Sequence, residues 1–225
     1  MESNIINNLY FTLLTHILNL GCGFKPQSRI VGGSEASPYS LPWQVGLVRR
    51  GSRRPFCGGT LIGPRHVLTA AHCTSGYGRW EVMVGEHRIM DASDGTRHTI
   101  CGYTNHPYYN CPKDLSHDFA VVHLNDPVEI GTRAAPACLP SFRHAGNFLD
   151  DKILTTSGWG TLCSGCSSPN VLHVVDVPGV SNVVCTDAYK ELGVSWDVTS
   201  DMICAGNITT GGVDACQGDS GGKVL

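Results

Sequence analysis

The sequence predicts an all-β protein, because short apolar segments alternate with turn residues from Trp43 onward and no long helical periodicity appears. Residues 80–84 alternate apolar and polar side chains, residues 119–124 are almost continuously apolar, and residues 171–177 partly alternate. Alternation is typical of a half-buried strand, and a continuous apolar run is typical of a fully buried one. The one predicted helix is short and covers Thr186 to Leu192.

The composition limits the function classes that need to be considered. The chain has 225 residues, of which 41% are hydrophobic, so it can bury a substantial core. Its net charge of -3 provides no broad cationic field for phosphates, so nucleic acid is not expected as a partner. Eleven cysteines without zinc-finger spacing favour an oxidised, secreted, extracellular protein.

Two segments divide the chain. Residues 125–151 are rich in proline and alanine, which predicts a connection between two β halves at about residues 30–135 and 136–225. Residues 1–29 form a separate lead segment, in which Leu9 to Leu20 is moderately apolar but interrupted by polar residues. That stretch is either a weak signal peptide or the result of a misassigned start, and it is too short and polar to span a membrane.

Three segments carry the residue types of a hydrolase with a serine nucleophile. Ser220 lies in Gly-Asp-Ser-Gly-Gly, His72 lies in Leu-Thr-Ala-Ala-His-Cys, and Asp118 immediately precedes the run Phe-Ala-Val-Val. A serine hydroxyl needs a histidine to take its proton and a carboxylate to hold that histidine in the right tautomer. Each segment alone is explained by an ordinary turn or surface residue, but the chain order His, Asp, Ser is one of three known for this triad.

With these segments the sequence resembles the trypsin-like members of the chymotrypsin family of serine proteases. The resemblance runs from Ile30 to the end of the chain and includes five further motifs: Ile30-Val31-Gly32-Gly33, Pro42-Trp43-Gln44-Val45, Cys57-Gly58-Gly59-Thr60-Leu61-Ile62, Ser157-Gly158-Trp159-Gly160 and Met202-Ile203-Cys204-Ala205-Gly206. It implies two Greek-key antiparallel β-barrels with the catalytic site between them. It also implies polypeptide substrates, protein protease inhibitors as partners, a monomer, and no cofactor.

The resemblance assigns a role to each site residue. Ser220 is the nucleophile, His72 the general base and then acid, and Asp118 its orienting partner, while the amides of Gly218 and Ser220 form the oxyanion hole. Asp214 matches the base of the primary specificity pocket, which implies cleavage after Arg or Lys, because a carboxylate in a narrow pocket pairs with a cationic side chain. The alternative for Asp214 is a solvated loop residue. The remaining histidines near the motifs match no catalytic position: His66, His117 and His123.

The resemblance also implies a zymogen. A cut after Arg29 frees the α-amino group of Ile30, and an ammonium group stabilises a carboxylate that would be costly to bury alone. By the resemblance that carboxylate belongs to Asp219, and its pairing orders the Gly218 amide. We therefore expect activation by a trypsin-like cut at Arg29.

The cysteine pairing expected by the resemblance uses ten of the eleven cysteines. The implied pairs are Cys57 with Cys73, Cys185 with Cys204, and Cys22 with Cys138, to which we add Cys101 with Cys111 and Cys163 with Cys166. Cys216 is left over, either because its partner lies beyond Leu225 or because it is a free thiol. After Gly222 the family continues with proline and a strand, so we expect a C-terminally truncated chain with an incomplete second barrel.

Two functions and three minor features stay open. The chain is either an incomplete record of a secreted endopeptidase or a catalytically silent homologue that acts as a binding or decoy module. Arg49, Arg50, Arg53 and Arg54 form either an exosite or a solvated hairpin tip, and Asn207 begins a glycosylation sequon. Some relatives bind calcium in the loop after Glu86, but Thr96 stands near where a second acidic ligand is expected, so no metal is assigned.

Overall fold

The computed structural model of this chain describes residues 33–76, 78–140, 150, 152–162, 165–194, 198–207 and 219–222. In these residues the all-β prediction is confirmed, since ten strands are accompanied by one α-helix and one short 3₁₀ helix. The strands are β1 (Ser34–Glu35), β2 (Gln44–Arg49), β3 (Pro55–Gly63), β4 (His66–Thr69), β5 (Trp80–Val84), β6 (Thr96–Asn105), β7 (Ala120–Leu124), β8 (Ile153–Gly158), β9 (His173–Val180) and β10 (Cys204–Ala205). The helix α1 is Asn182–Glu191, and the 3₁₀ helix is Ala71–Thr74.

The first half closes into a six-stranded antiparallel barrel in the order β2-β3-β4-β7-β6-β5. Because β2 pairs with both β3 and β5, the barrel leaves none of these strands with an open edge. Apolar side chains of its strands are almost completely buried: Val45, Leu47, Leu61, Val67, Val82, Met83, Val84 and Val122. Their burial contributes hydrophobic stabilisation to this half.

Glycines in β2 and β3 let the barrel walls approach closely. A Cβ atom on Gly59 would lie 2.9 Å from Val45 Cγ2 and 2.9 Å from Val67 Cγ1. A Cβ atom on Gly46 would lie 2.8 Å from Met83 Cε. The close packing of β2 and β4 on β3, and of β5 on β2, is therefore favoured by the absence of side chains at these two positions.

The described strands of the second half, together with β1 from the start of the first half, form a four-stranded antiparallel sheet. β9 is central, because it pairs with β1, β8 and β10. Buried hydrogen bonds join this sheet to the barrel: Ser157 Oγ donates to Gln44 Oε1 at 2.8 Å, and Trp159 Nε1 donates to the His87 carbonyl at 3.2 Å. These contacts form the interface between the two halves of the molecule.

The helix begins four residues earlier than the sequence pattern predicts. Ser181 caps α1, since its Oγ accepts a hydrogen bond from the Val184 amide at 3.3 Å, and this cap adds a first turn to the predicted segment. That turn carries Val183, which is 70% exposed, so apolar periodicity alone does not reveal it. Within the described part of the chain, no helix has the length and apolar character needed to cross a bilayer.

The disulfides agree with the expected pattern at two positions and differ from it at one. Cys57–Cys73 and Cys185–Cys204 are bonded. Cys138 and Cys166 are also disulfide-bonded, and their expected partners, Cys22 and Cys163, lie outside the described residues.

The expected pair Cys101 and Cys111 is wrong, because both thiols are free and exposed. Cys101 lies inside β6, with its Sγ 3.4 Å from the His123 carbonyl oxygen of the neighbouring strand. The four strand residues that follow it span about 13 Å before the loop that carries Cys111 begins. A disulfide requires Cα atoms within roughly 7 Å of each other, whereas Cys101 is held in β6 beside His123 of β7.

The loop between β5 and β6 contains a buried carboxyl group. The side chain of Glu86 is only 2% exposed, and Arg97 Nη2 lies 3.3 Å from its Oε1 atom. Burial raises the pKa of Glu86 from 4.5 to about 7, although the Arg97 guanidinium lowers it. The neutral carboxyl is therefore the form that this loop accommodates better.

A first prediction concerns the close packing at Gly59. The substitution Gly59→Ala should lower the free energy of unfolding by about 1 to 3 kcal/mol, because the added methyl displaces Val45 or Val67. Gly102→Ala in β6 is the matched control, since nothing lies within 4 Å of a Cβ at that position. Urea unfolding of both variants measures the difference, and equal stabilities would contradict the account.

A second prediction concerns Glu86. Its pKa is higher in the folded than in the unfolded chain, so its contribution to stability is complete below 4.5 and is lost as the pH rises through about 7. Glu86→Gln removes this titration and should gain thermal stability relative to the wild type as the pH is raised from about 5 to about 8. Melting curves at both pH values test this, and a difference independent of pH would refute the raised pKa.

Candidate active site

His72 is held on a rigid turn that directs its side chain outward. It lies in the 3₁₀ helix between Ala71 and Cys73, which are both completely buried. Cys73 is bonded to Cys57 of β3, and Thr74 Oγ1 donates to the Ala71 carbonyl at 2.7 Å. The backbone on both sides is thus fixed to the barrel, while the His72 side chain stays 36% exposed.

Asp118 binds His72 with both carboxylate oxygens. Its Oδ2 lies 2.6 Å from His72 Nδ1, and its Oδ1 accepts a hydrogen bond from the His72 backbone amide at 2.9 Å. The carboxylate is 20% exposed, so the contact is partly shielded from water. This arrangement fixes the ring and places the proton of the neutral imidazole on Nδ1, which leaves Nε2 as the basic atom.

Ser220 lies against the same disulfide as His72. The Gly58 amide of β3 donates to the Ser220 carbonyl at 2.7 Å. The Sγ atom of Cys73 lies 3.5 Å from His72 Nε2 and 3.7 Å from the Ser220 carbonyl oxygen. Among the described contacts of His72 there is no hydrogen bond from the Ser220 hydroxyl, and such bonds are often loose before substrate binds.

The turn around Ser220 fits only because its neighbours lack side chains. Gly221 has a φ of +77°, and a Cβ there would lie 2.3 Å from Thr69 Oγ1. Thr69 Oγ1 donates to the Gly58 carbonyl at 2.8 Å, so it helps to shape the surface on which the turn rests. Nothing in the sequence pattern singled out Thr69.

The Asp219 carboxylate occupies a gap at the end of β8. The Gly160 amide donates to its Oδ1 at 2.7 Å. A Cβ atom on Gly158 would lie 1.9 Å from that oxygen, and a Cβ on Gly160 would lie 2.4 Å from the carboxylate carbon. The two glycines of the Ser-Gly-Trp-Gly motif therefore make room for this carboxylate.

The backbone before Asp118 is held from the second half of the molecule. His117 has a φ of +53°, which is unfavourable for a residue with a Cβ, and its amide donates to Asp201 Oδ2 at 2.6 Å. The His117 ring stacks on His106 with centroids 4.7 Å apart. Burial raises the pKa of Asp201, but hydrogen bonds from Thr199 and from the His117 amide outweigh it and hold that pKa below its usual range.

This contact changes the interpretation of His117 that the sequence suggested. We expected His117 to match no catalytic position, and the structure shows that its backbone amide, next to Asp118 in sequence, is held by Asp201. Since 84 positions separate Asp201 from His117, no local pattern could have shown it. The other two histidines that match no catalytic position are His66 in β4 and His123 in β7. Their rings pack against each other with centroids 5.5 Å apart.

Several expected site residues fall outside the described part of the chain. These are the oxyanion residue Gly218, the pocket residue Asp214, the activation residues Arg29 and Ile30, and the unpaired Cys216. Asn207 is described and exposed, but the rest of its sequon is not described.

One group of described side chains has the spacing of a metal site. It consists of Cys57, His72 and Cys73, whose ligand atoms lie within 4.8 Å of one another. Because the two cysteines form a disulfide, they offer no thiolate to a metal. The group therefore does not fit a metal ion.

Comparison with known proteins agrees with this geometry. The trypsin family matches residues 30–225. The chain is 36% identical to the clotting factor G beta subunit of Tachypleus tridentatus over 220 residues, which cover 91% of this chain and 68% of that protein. It is 39% identical to serine protease 1 of Rattus norvegicus over 205 residues, which cover 89% of this chain and 76% of that one.

A solved structure gives the same result. The structure of neuropsin, a serine protease expressed in the limbic system of mouse brain, superposes with a TM-score of 0.71 at 35% identity. The superposition covers 87% of this chain and 82% of neuropsin. The chain therefore belongs to the trypsin family of serine proteases.

Proposed function

We propose that this protein is a secreted serine endopeptidase that hydrolyses peptide bonds after Arg or Lys. The observation that carries the proposal is the double contact of Asp118 with His72, at 2.6 Å to Nδ1 and 2.9 Å to the amide. A carboxylate placed in this way holds the imidazole of a general base in one tautomer and one orientation. Ser220 lies beside that base across the Cys57–Cys73 disulfide.

The reaction proceeds through an acyl-enzyme. Ser220 Oγ attacks the substrate carbonyl carbon while His72 Nε2 takes the hydroxyl proton, and Asp118 stabilises the imidazolium that forms. His72 then gives the proton to the leaving amine, and water attacks the ester by the same steps in reverse. The amides of Gly218 and Ser220 bind the oxyanion of each tetrahedral intermediate.

Specificity and activation complete the proposal. Asp214 at the base of the pocket selects Arg or Lys, because a buried carboxylate gains most from a cationic partner. Cleavage after Arg29 provides the ammonium group of Ile30 for Asp219. The gap between Gly158 and Gly160, which holds the Asp219 carboxylate, supports this part of the scheme.

A second candidate is a catalytically silent homologue that binds partners through the first barrel. It is favoured by one observation, the missing hydrogen bond between the Ser220 hydroxyl and His72 Nε2 in the described site. The two candidates differ in whether Ser220 becomes nucleophilic.

A third prediction tests this difference. After a cut at Arg29, a phosphonate probe with an arginine side chain should label the protein covalently, and Ser220→Ala and His72→Ala should abolish the labelling. Intact-mass spectrometry reads out the adduct, and Ser93→Ala, at an exposed serine that has no part in the proposed reaction, serves as the control. A folded, cut protein that takes up no probe is the silent homologue.

A fourth prediction concerns Asp201. Asp201→Ala leaves the His117 amide without its acceptor, so Asp118 shifts and kcat on an arginine p-nitroanilide should fall about tenfold with little change in KM. Asp201→Asn keeps an acceptor oxygen and should recover most of the loss. Asp187→Ala on α1, where the side chain is 65% exposed, is the control. An equal fall in kcat in all three variants would exclude a positioning role for Asp201.

A further inference from the structure

Two histidines face each other across the ladder of β4 and β7. His66 and His123 stand directly opposite in the antiparallel register, and their rings meet edge to face with centroids 5.5 Å apart. Their neighbours Val67 and Val122 are completely buried in the barrel. Since successive side chains of a strand point to opposite faces, the two imidazoles lie on the outer face of the barrel. Both are only partly buried there, so an ion from solution can reach them.

The distance between the two rings suits a shared metal ion. Zinc binds an imidazole nitrogen at about 2.1 Å in tetrahedral geometry, which places the centroids of two ligating rings roughly 5 Å apart. The observed separation of 5.5 Å is close to this value. His66 and His123 are therefore already placed as two ligands of a tetrahedral zinc site would be.

The second ring nitrogen of His123 has the kind of partner that a metal ligand usually has. His123 Nε2 lies 3.2 Å from Thr104 Oγ1 of β6. A ligating histidine almost always donates its other ring N–H to an oxygen, which fixes the tautomer and the orientation of the ring. When Nε2–H donates to Thr104 Oγ1, the Nδ1 atom of His123 keeps its lone pair for a metal.

The surroundings of His66 favour the neutral ring that a metal requires. Burial lowers the pKa of His66, and the nearby His123 and Arg65 lower it further. A histidine binds a metal only in its neutral form, so less metal-binding energy is used to displace a proton here. The Arg65 guanidinium is itself held by the carbonyl oxygens of Leu124 and Asn125 at the end of β7.

We propose that His66 and His123 bind a zinc ion on the outer face of the barrel, with water completing its coordination. The site would act on the frame of the candidate active site, because β4 leads to His72 and β7 begins two residues after Asp118. An ion that joins the two histidines fastens together the two strands that carry these residues. The inference does not depend on the proposed endopeptidase function, since zinc binding requires no reaction at Ser220.

The fifth prediction concerns zinc binding to the whole chain, measured by isothermal titration calorimetry with zinc chloride. His66→Gln and His123→Gln should each weaken binding about tenfold or more, because one imidazole alone cannot chelate the ion. Zinc at saturation should raise the melting temperature of the wild type by several degrees, and both variants should lose this gain. Binding should weaken at about pH 5.5, since protons then compete for both rings.

Hydrogen exchange shows whether the ion joins the two strands. Zinc should slow amide exchange in residues 66–69 and 120–124 of the wild type, because opening the ladder then requires release of the ion. The same peptides of His66→Gln should exchange at the same rate with and without zinc. Zinc that binds the wild type but leaves exchange in both strands unchanged would overturn the proposal.

Two control variants test other ligands. His98→Gln removes a histidine of β6 that lies opposite Val82, and Cys101→Ser removes a free thiol whose Sγ lies 3.4 Å from the His123 carbonyl oxygen. Both should keep the affinity of the wild type for zinc. Equal affinity in the wild type, His66→Gln and His123→Gln would contradict the proposal. Loss of binding in Cys101→Ser alone would assign the ion to the thiol and overturn it too.

Discussion

The site depends on a single carboxylate that binds one histidine at two points. Asp118 accepts from the backbone amide of His72 with one oxygen and contacts the ring with the other, so the position of the imidazole and its tautomer are fixed together. A rigid frame is needed on both sides of this contact. The buried neighbours of His72 and the Cys57–Cys73 disulfide provide it on one side, and the Asp201 contact to His117 provides it on the other.

The two halves of the molecule supply different parts of the candidate site. The closed barrel carries His72 and Asp118 at the ends of its strands, whereas the second half supplies the turn of Ser220 and the carboxylate that holds His117. Glycines make the junction possible, because Gly58, Gly158 and Gly160 let backbone and the Asp219 carboxylate approach where any Cβ would collide. The proposed function thus depends on the interface between the halves as well as on the geometry of His72 and Asp118.

The sequence predicted those parts of the structure that depend on local pattern. Alternation located β5 and a continuous apolar run located β7, each to within a residue. The motifs around His72 and Ser220 identified the residues that the fold brings beside one disulfide. The sequence did not predict features that depend on contacts between residues far apart in the chain. The expected Cys101–Cys111 pair is not formed, because spacing along the sequence does not fix where the two side chains lie in the fold. The cap of α1 by Ser181 was hidden by exposed apolar residues in the first turn. The role of Asp201 follows only from tertiary structure, because its partner lies in the other half.

The central claim is that Asp118 fixes the tautomer of His72 for catalysis by Ser220. Steady-state hydrolysis of an arginine p-nitroanilide by Asp118→Asn tests it most directly, because the amide keeps the shape of the carboxylate but favours the opposite tautomer. The account predicts a loss of about 10⁴ in kcat at neutral pH with little change in KM. A variant that retains kcat within about tenfold of the wild type would contradict it.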